Sequence, residues 1–492
     1  MIINDLIDLE NGVKFPEKLT DAFIFWGFFM KTSHQSSPQR DLFREHLNQM
    51  INPAHPLVRM AKLIDWEQAE AITSHWFSDT TGRQAKSGRL IVGLFLLKQM
   101  KNVSDEELPA LWVENPYWQY FCGEEYFQHE FPIHPTSMSK WRKKMTETDA
   151  EALLSLTITL ALSSKTIKRS DMKRVNADTT VQEKAVEYPT DTRLCTKAII
   201  QLGKLSKQHG VKLKQNYKFT AKKLHFKINN YHRAQQFKRA KKAQAKLKTC
   251  LGRLSRDITR QLEKQPKLTP VFQEFMKKTE RLLTQSRTSK NKLYSLHAPE
   301  VECIAKGKLK KRYEFGVKAS AIATQKNNFI LGASALHGSP YDGHTLKPAL
   351  DQVERLSGVR PKRCFVDNGY KGHAEEQTDI HIARKKRTYA TRYLKRLMKQ
   401  RNAIEALFGH AKRDTHLGRN YLKGQHGDKL NVLLSAVGYN LRMILRIIWL
   451  FLCCYLSGAL MKIRRWVQKM IINVDNSQPK WFRSNQKTVF QG

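Results

Sequence analysis

The sequence predicts a mixed α/β protein whose sheet core is preceded by helices and interrupted by a strongly basic helical insertion. Three patterns predict it. Val175, Ala177, Thr179 and Val181 alternate with Arg174, Asn176, Asp178 and Thr180, which is the period of a half-buried strand. "KRYEFGVKASAIAT" and "NNFILGASALHG" alternate or run apolar in the same way, after a long interval. Within that interval Leu, Ile, Phe and Ala recur at helical spacing among lysines and arginines. Strands interleaved with helices indicate helices packed on a sheet.

Residues 1–40 read as an extension ending in the polar linker "KTSHQSSPQR". Residues 41–165 read as helical. "SGRLIVGLFLLKQMKN" is an apolar helix, and "SDEELPALWVENP" opens with a Ser104–Glu107 capping box and stops before Pro116. "HPTSMSKWRKKM" offers Thr136 or Ser137 as a cap, followed by Lys140, Trp141, Arg142, Lys143 and Lys144. Short helices ending in a basic, aromatic one fit a helix-turn-helix-like DNA reader in which Lys140, Arg142 and Lys143 touch DNA. They fit a small bundle with a basic surface equally well.

The core is expected over 166–445, with the insertion at 192–295. From Thr192 to Arg256 there are nineteen Lys or Arg and no Asp or Glu. Residues 193–290 hold 27 basic and four acidic residues, a net of 27 − 4 = +23 within a chain total of +42. A solvated helical face mixes both signs. This one does not, so phosphate contact is expected, with Lys238, Arg239, Lys241 and Lys242 among the contacts. After the hairpin at Lys326–Asn328, "GHTLKPALDQVERLSG" is a helix closed by Gly358. "KRCFVDNGY" is a short strand ending at Asp367, and "RNAIEALFGHAKRD" is a further helix. Residues 446–492 read as an apolar helix and tail.

The charge and a pI near 10 require a polyanionic partner, nucleic acid or an acidic membrane surface. Ile447–Met461 is fifteen apolar or small residues, short of the ~20 that span a bilayer, so it reads as a buried helix and no membrane is expected. Met1–Glu10 is acidic and lacks the basic region of a secretory signal. Seven scattered cysteines without a C-x-x-C pair indicate reduced thiols in the cytoplasm, with neither a disulfide framework nor a zinc site. Nucleic acid is therefore the expected partner, and a nucleoid-associated location follows from it.

No P-loop, H-E-x-x-H, nucleophile elbow or C₂H₂ pattern is present. What remains is carboxylates at element ends in a basic chain. Asp178 interrupts a strand, where Asp is depleted, although a solvated carboxylate is the simplest account. Asp367 ends a strand, where ligands collect in open α/β sheets, although an Asx turn before Asn368-Gly369 is a common role. Arg401, Glu405 and Lys412 fall within about 40° on one helix face. Arg before Glu is the weaker ion-pair orientation, so Glu405 is better read as holding a metal while its cations hold phosphates.

"NADTTVQEKAVEYPTDTRL", "SPYDGHTLKPAL", "VDNGYKGH" and "RNAIEALFGHAKRDTHLGRNYLKG" resemble, in that order, the catalytic domain of bacterial insertion-sequence transposases with an Asp-Asp-Glu site. The group is the one numbered five in the superfamily numbered four. "WVENPYWQYFCGEEYFQHEFPIHPTSMSKWRKKM" is similar to its N-terminal domain, so the resemblance covers about residues 40–445. It implies a ribonuclease-H-like fold with Asp178, Asp367 and Glu405 as the triad. Arg401, Glu405 and Lys412 match three positions of the third-acid signature, while Met398 stands where the signature has Tyr. Such a site takes two Mg²⁺, with Mn²⁺ substituting, for in-line attack on phosphodiesters. The implied activity nicks double-stranded DNA at the element's own inverted repeats and joins the 3′ ends to a target. Two ends handled together imply a homodimer on DNA. The alternatives are a ribonuclease-H-like nuclease without strand transfer, a catalytically silent domesticated DNA-binding protein, and a basic RNA-binding protein.

Overall fold

The computed structural model describes residues 29–30, 45–78, 83–286, 288–290, 292–305, 312–383 and 391–477. Most of the 1–40 extension and the tail beyond 477 lie outside the described residues. The N-terminal part pairs β1 (Phe29–Met30) with β2 (Arg83–Gln84) and is otherwise helical. Its helices are α1 (Leu47–Met50), α2 (Pro56–Leu63), α3 (Trp66–Ser74), α4 (Gly88–Lys101), α5 (Glu107–Glu114), α6 (Pro116–Phe121), α7 (Thr136–Lys144) and α8 (Glu147–Ser163). Ser104 and Glu107 exchange the two bonds of the expected capping box. Pro116 does restart the chain, as the first residue of α6, with Asn115 Oδ1 accepting from Trp118 N.

Helix α7 differs from its expected form. It starts at Thr136 without a side-chain cap, and Trp141 is buried. Arg142 is turned inward, its guanidinium forked onto Asp105 at 2.7–3.0 Å beside Lys98, so it is not an outward DNA contact. Lys144 donates to Trp76 O at 2.6 Å. Lys140 and Lys143 stay exposed. Helical wheels place residues on faces, but they do not reveal an acid 37 positions away.

After β3 (Arg174–Glu183) the insertion forms α9 (Asp191–Gln208), α10 (Lys218–Arg233), α11 (Phe237–Lys264) and α12 (Thr269–Thr284). Strands β4 (Glu302–Ala305), β5 (Tyr313–Thr324) and β6 (Ile330–Leu336) follow, then α13 (Asp342–Ser357), β7 (Arg363–Val366) and β8 (Asp379–Ile382). The chain ends in α14 (Arg392–Arg401), α15 (Ala403–Asp414) and α16 (Gly424–Ser477). The sheet runs β4-β5-β3-β7-β8, with β6 also on β5. β3 is antiparallel to β5 and parallel to β7, and β8 is parallel to β7. This mixed α/β core is consistent with a ribonuclease-H-like one. The four-residue strands β4 and β8 carry too few alternations to show in the sequence.

Gly316 lies opposite Glu183, where an added Cβ would stand 1.9 Å from Gln182 O; only glycine lets β5 approach β3 this closely. Gly358 closes α13 at φ +65°, as expected. One hydrophobic core runs from α2, α4 and α8 through Val175, Ala177, Ile322 and Val353 to Leu433 and Ile444. The N-terminal helices and the sheet therefore share it, whereas the insertion has a separate core around Ile199, Leu251 and Phe272.

Helix α16 runs through residue 446 without a break. Its segment Gly424–Phe451 is long and apolar enough to cross a membrane, yet 61% of its apolar window is buried in the protein. The buried part precedes the expected run. Of that run, Ile448 is buried, whereas Trp449, Leu450 and Phe451 are exposed.

Where the insertion leaves and rejoins the sheet, Lys184 Nζ lies 2.8 Å from both Glu300 and Asp428, with all three side chains under a tenth exposed. Asn420 donates to Asp428 and Gly424 N to Glu300. Lys184→Met should cost about 3–5 kcal/mol, because two buried carboxylates lose their cation. Urea unfolding measures this, and adding Glu300→Gln and Asp428→Asn should recover part of the loss.

Candidate active site

The β3–β7 register pairs Arg174 with Arg363 and Asn176 with Phe365. Two more residues of the same register set Asp178 beside Asp367, just past the end of β7. Strand alternation points both toward the face covered by α14 and α15. Phe365 packs on Leu397 and Met398 there, so the residue at the signature's Tyr position is a core side chain.

Asp178 is 17% exposed and accepts from Thr179 N at 2.7 Å. Burial pushes its carboxyl up to about 6; Asp367 and Asp342 add to the rise, while the Thr179 N–H and Arg401 oppose it. Asp367 Oδ1 accepts from Gly369 N at 2.9 Å, so the Asx-turn role is real and coexists with its place beside Asp178.

Sequence reasoning missed Asp342. It begins α13, and its Oδ1 accepts from Thr179 Oγ1 and Lys318 Nζ, each at 3.1 Å. Its string "SPYDGHTLKPAL" was part of the resemblance, but a helix-start Asp reads as a cap. Tyr370 was missed too. Its ring is 1% exposed, its hydroxyl has no hydrogen-bond partner, and burial with Asp178 and Asp342 raises its phenol well above the usual range.

The helix expected to carry Arg401, Glu405 and Lys412 is interrupted at one residue, yet Arg401 and Glu405 still meet as an i,i+4 pair. Asn402 breaks the helix, and Asn328 Nδ2 binds Ala403 O at the break. Arg401 therefore ends α14, buried, while Glu405 opens α15 and Lys412 lies partly buried in its last turn. Arg401 Nη1 is 3.7 Å from Asp178 Oδ2, and its Nη2 is 3.7 Å from Glu405 Oε1. It lies between two of the acids with its side chain buried, whereas the sequence reading had it holding phosphate. Glu405 is 71% exposed. Asp367 and Asp342 thus lie near enough to raise the Asp178 carboxyl, and Glu405 is linked to Asp178 through Arg401.

Among the described residues no three Asp, Glu, His or Cys side chains are gathered as a ready metal site. The donor set nevertheless suits a hard cation: two neighbouring part-buried carboxylates and a buried Tyr370 hydroxyl without a hydrogen-bond partner, all oxygen. Lys238, Arg239, Lys241 and Lys242 are all exposed on α11.

Residues 45–144 match the family described as "Transposase domain (DUF772)", and residues 283–441 match "Transposase DDE domain". The second match includes Asp342, Asp367 and Glu405 and begins after Asp178 and most of the insertion. A Rhizobium meliloti protein, "Uncharacterized protein ORF8 in nfe locus", is 43% identical over 208 residues, 42% of this chain and all of that protein. No solved structure matches. The matched domains define an enzyme that acts on DNA. The chain belongs to the insertion-sequence transposases of the DDE superfamily, so it is a DNA transposase of a mobile element. Transposase domains of this kind generally use divalent metal ions.

Asp178 binds a proton near pH 6 when folded but near 4 when unfolded, so its ionisation costs stability above about pH 6 and nothing below about pH 4. Asp178→Asn should therefore stabilise the chelator-treated protein at pH 7.5 by on the order of 2 kcal/mol. The gain should shrink toward pH 4. Calorimetry at both pH values checks this.

Proposed function

We propose that this transposase nicks the terminal inverted repeats of its own element and joins the freed 3′ ends to target DNA. In this reading it belongs to insertion-sequence group five and has a ribonuclease-H-like core. Asp178, Asp367 and Glu405 form the triad, and two copies act together on paired ends. The observation that carries it is the parallel register of β3 and β7, which sets two carboxylates side by side on the face where α15 brings Glu405.

Asp178 and Asp367 would hold a divalent cation, and their oxygen-only chemistry fits Mg²⁺ or Mn²⁺ better than zinc. Such ions, when bound, supply charge neutralisation at the scissile phosphate and a more acidic attacking hydroxyl. The chain's own groups do the rest. Lys318 and Thr179 fix Asp342 behind Asp178, and the turn at Gly369 fixes Asp367. Arg401 offsets the acids' repulsion, and Glu405, across the helix break, is placed to complete the site. The exposed lysines of α11 hold duplex backbone at a distance from the reaction.

Glu405→Gln keeps size and removes charge, so duplex binding should persist while metal-dependent nicking of element ends is lost. Nicking at wild-type rate would remove Glu405 from the site. Release of cut ends with no joining to a supercoiled target would instead favour a nuclease without strand transfer.

Lys238, Arg239, Lys241 and Lys242 changed together to Gln should flatten the slope of log K against log salt by about two to four units. Element-end and random duplex should lose affinity together, because backbone contacts carry no sequence information. A binding titration over several salt concentrations reads both effects.

A further inference from the structure

We propose that the outer face of α10 binds unpaired DNA bases, with Phe219 and Phe226 as stacking platforms set between cations. Helix α10 already has a complete inner face: Ala221, Leu224 and Ile228 are buried in the insertion's own core. Phe219 and Phe226 lie on the opposite side, 78% and 66% exposed. Seven residues apart, they fall within about 20° of each other around the helix and about 10 Å apart along it. That is close to the height of three stacked bases, at about 3.4 Å each.

Lys222, Lys223, Lys227 and Arg233 are exposed around and between the two rings. At the hairpin tip Phe237 is a third exposed ring, 62% accessible and 6.0 Å from His232 by ring centroids. Three phenylalanines facing water in one helical hairpin are not filling a core.

The identity of the ligand follows from what both residue types need. An apolar protein partner would cover the rings but bury the lysines, and the insertion has no acid from Thr192 to Arg256 to pair with them. A DNA duplex satisfies the cations, yet its base faces are hidden in the stack. An unpaired strand offers both, phosphates for the ammonium groups and π-faces for the rings. The inference rests on the reading of the chain as a DNA-cutting enzyme, since cleavage at duplex ends is what supplies unpaired bases.

The test is Phe219→Ala/Phe226→Ala in the full-length chain, with Phe219→Trp/Phe226→Trp as the ring-preserving control. Fluorescence anisotropy would follow a labelled single-stranded oligonucleotide and a duplex of equal length over a range of salt. A 2-aminopurine in the single strand would report stacking. The alanine pair should lose about tenfold or more in single-strand affinity and lose the 2-aminopurine quenching. Its salt slope and duplex affinity should stay as in the parent, and the tryptophan pair should bind at least as well as the parent. Unchanged single-strand affinity, equal losses on both DNAs, or a changed oligomeric state in sedimentation would each overturn the proposal. Nicking at duplex ends, read through Glu405→Gln, fails or succeeds independently of these measurements.

Discussion

Two carboxylates held in register on neighbouring strands, on a face partly closed to water, repel each other more strongly the better they are buried. The packing around β3 is arranged to tolerate that repulsion. Asp178 takes the Thr179 N–H and lies near Arg401, while Asp367 spends one oxygen on Gly369 N. Asp342 is turned to Thr179 and Lys318. Glu405 is kept outside, largely in water, so a third full charge is not added to the buried pair. The site is thus stable enough to fold and under enough electrostatic load to welcome a cation.

That load can be carried because the sheet is anchored from several sides. Glu151 on α8 binds Gln352 and Arg355 on α13. Asn440 on α16 bridges Thr157 of α8 and the backbone of Ile330 at the start of β6. Buried polar pairs of this kind fix relative positions because a slip would leave each group unsatisfied. The N-terminal helices are therefore part of the body that holds the sheet.

Much of this was legible in the sequence. The strand carrying Asp178, the hairpin at Lys326–Asn328, the helix closed by Gly358 and the helical nature of the insertion all rest on local periodicity or turn chemistry. Asp178, Asp367 and Glu405 drew attention by their places within or at the ends of strands and on a helix beside cations, and the family resemblance named them together. What was not legible depended on contacts distant in sequence. Arg142 finds Asp105, Arg401 finds Asp178, and Asn328 donates to Ala403 O beside the Asn402 interruption of a helix that looks continuous on a wheel. Asp342 was hidden by its own plausibility as a helix-start residue. Tyr370 was hidden because an isolated aromatic after a turn gives no sign that it will lie beneath the acids.

The insertion has its own core, and both of its ends meet at Lys184, Glu300 and Asp428. With its ends pinned together, the entropy of closing the connection grows only with the logarithm of its length. Doubling or halving it changes the closure cost by about 0.6 kcal/mol. The sheet is thus almost indifferent to how much chain is inserted after β3. A segment of this kind can be exchanged as a cassette, its own core and charge changing while the strand that carries Asp178 stays unaltered.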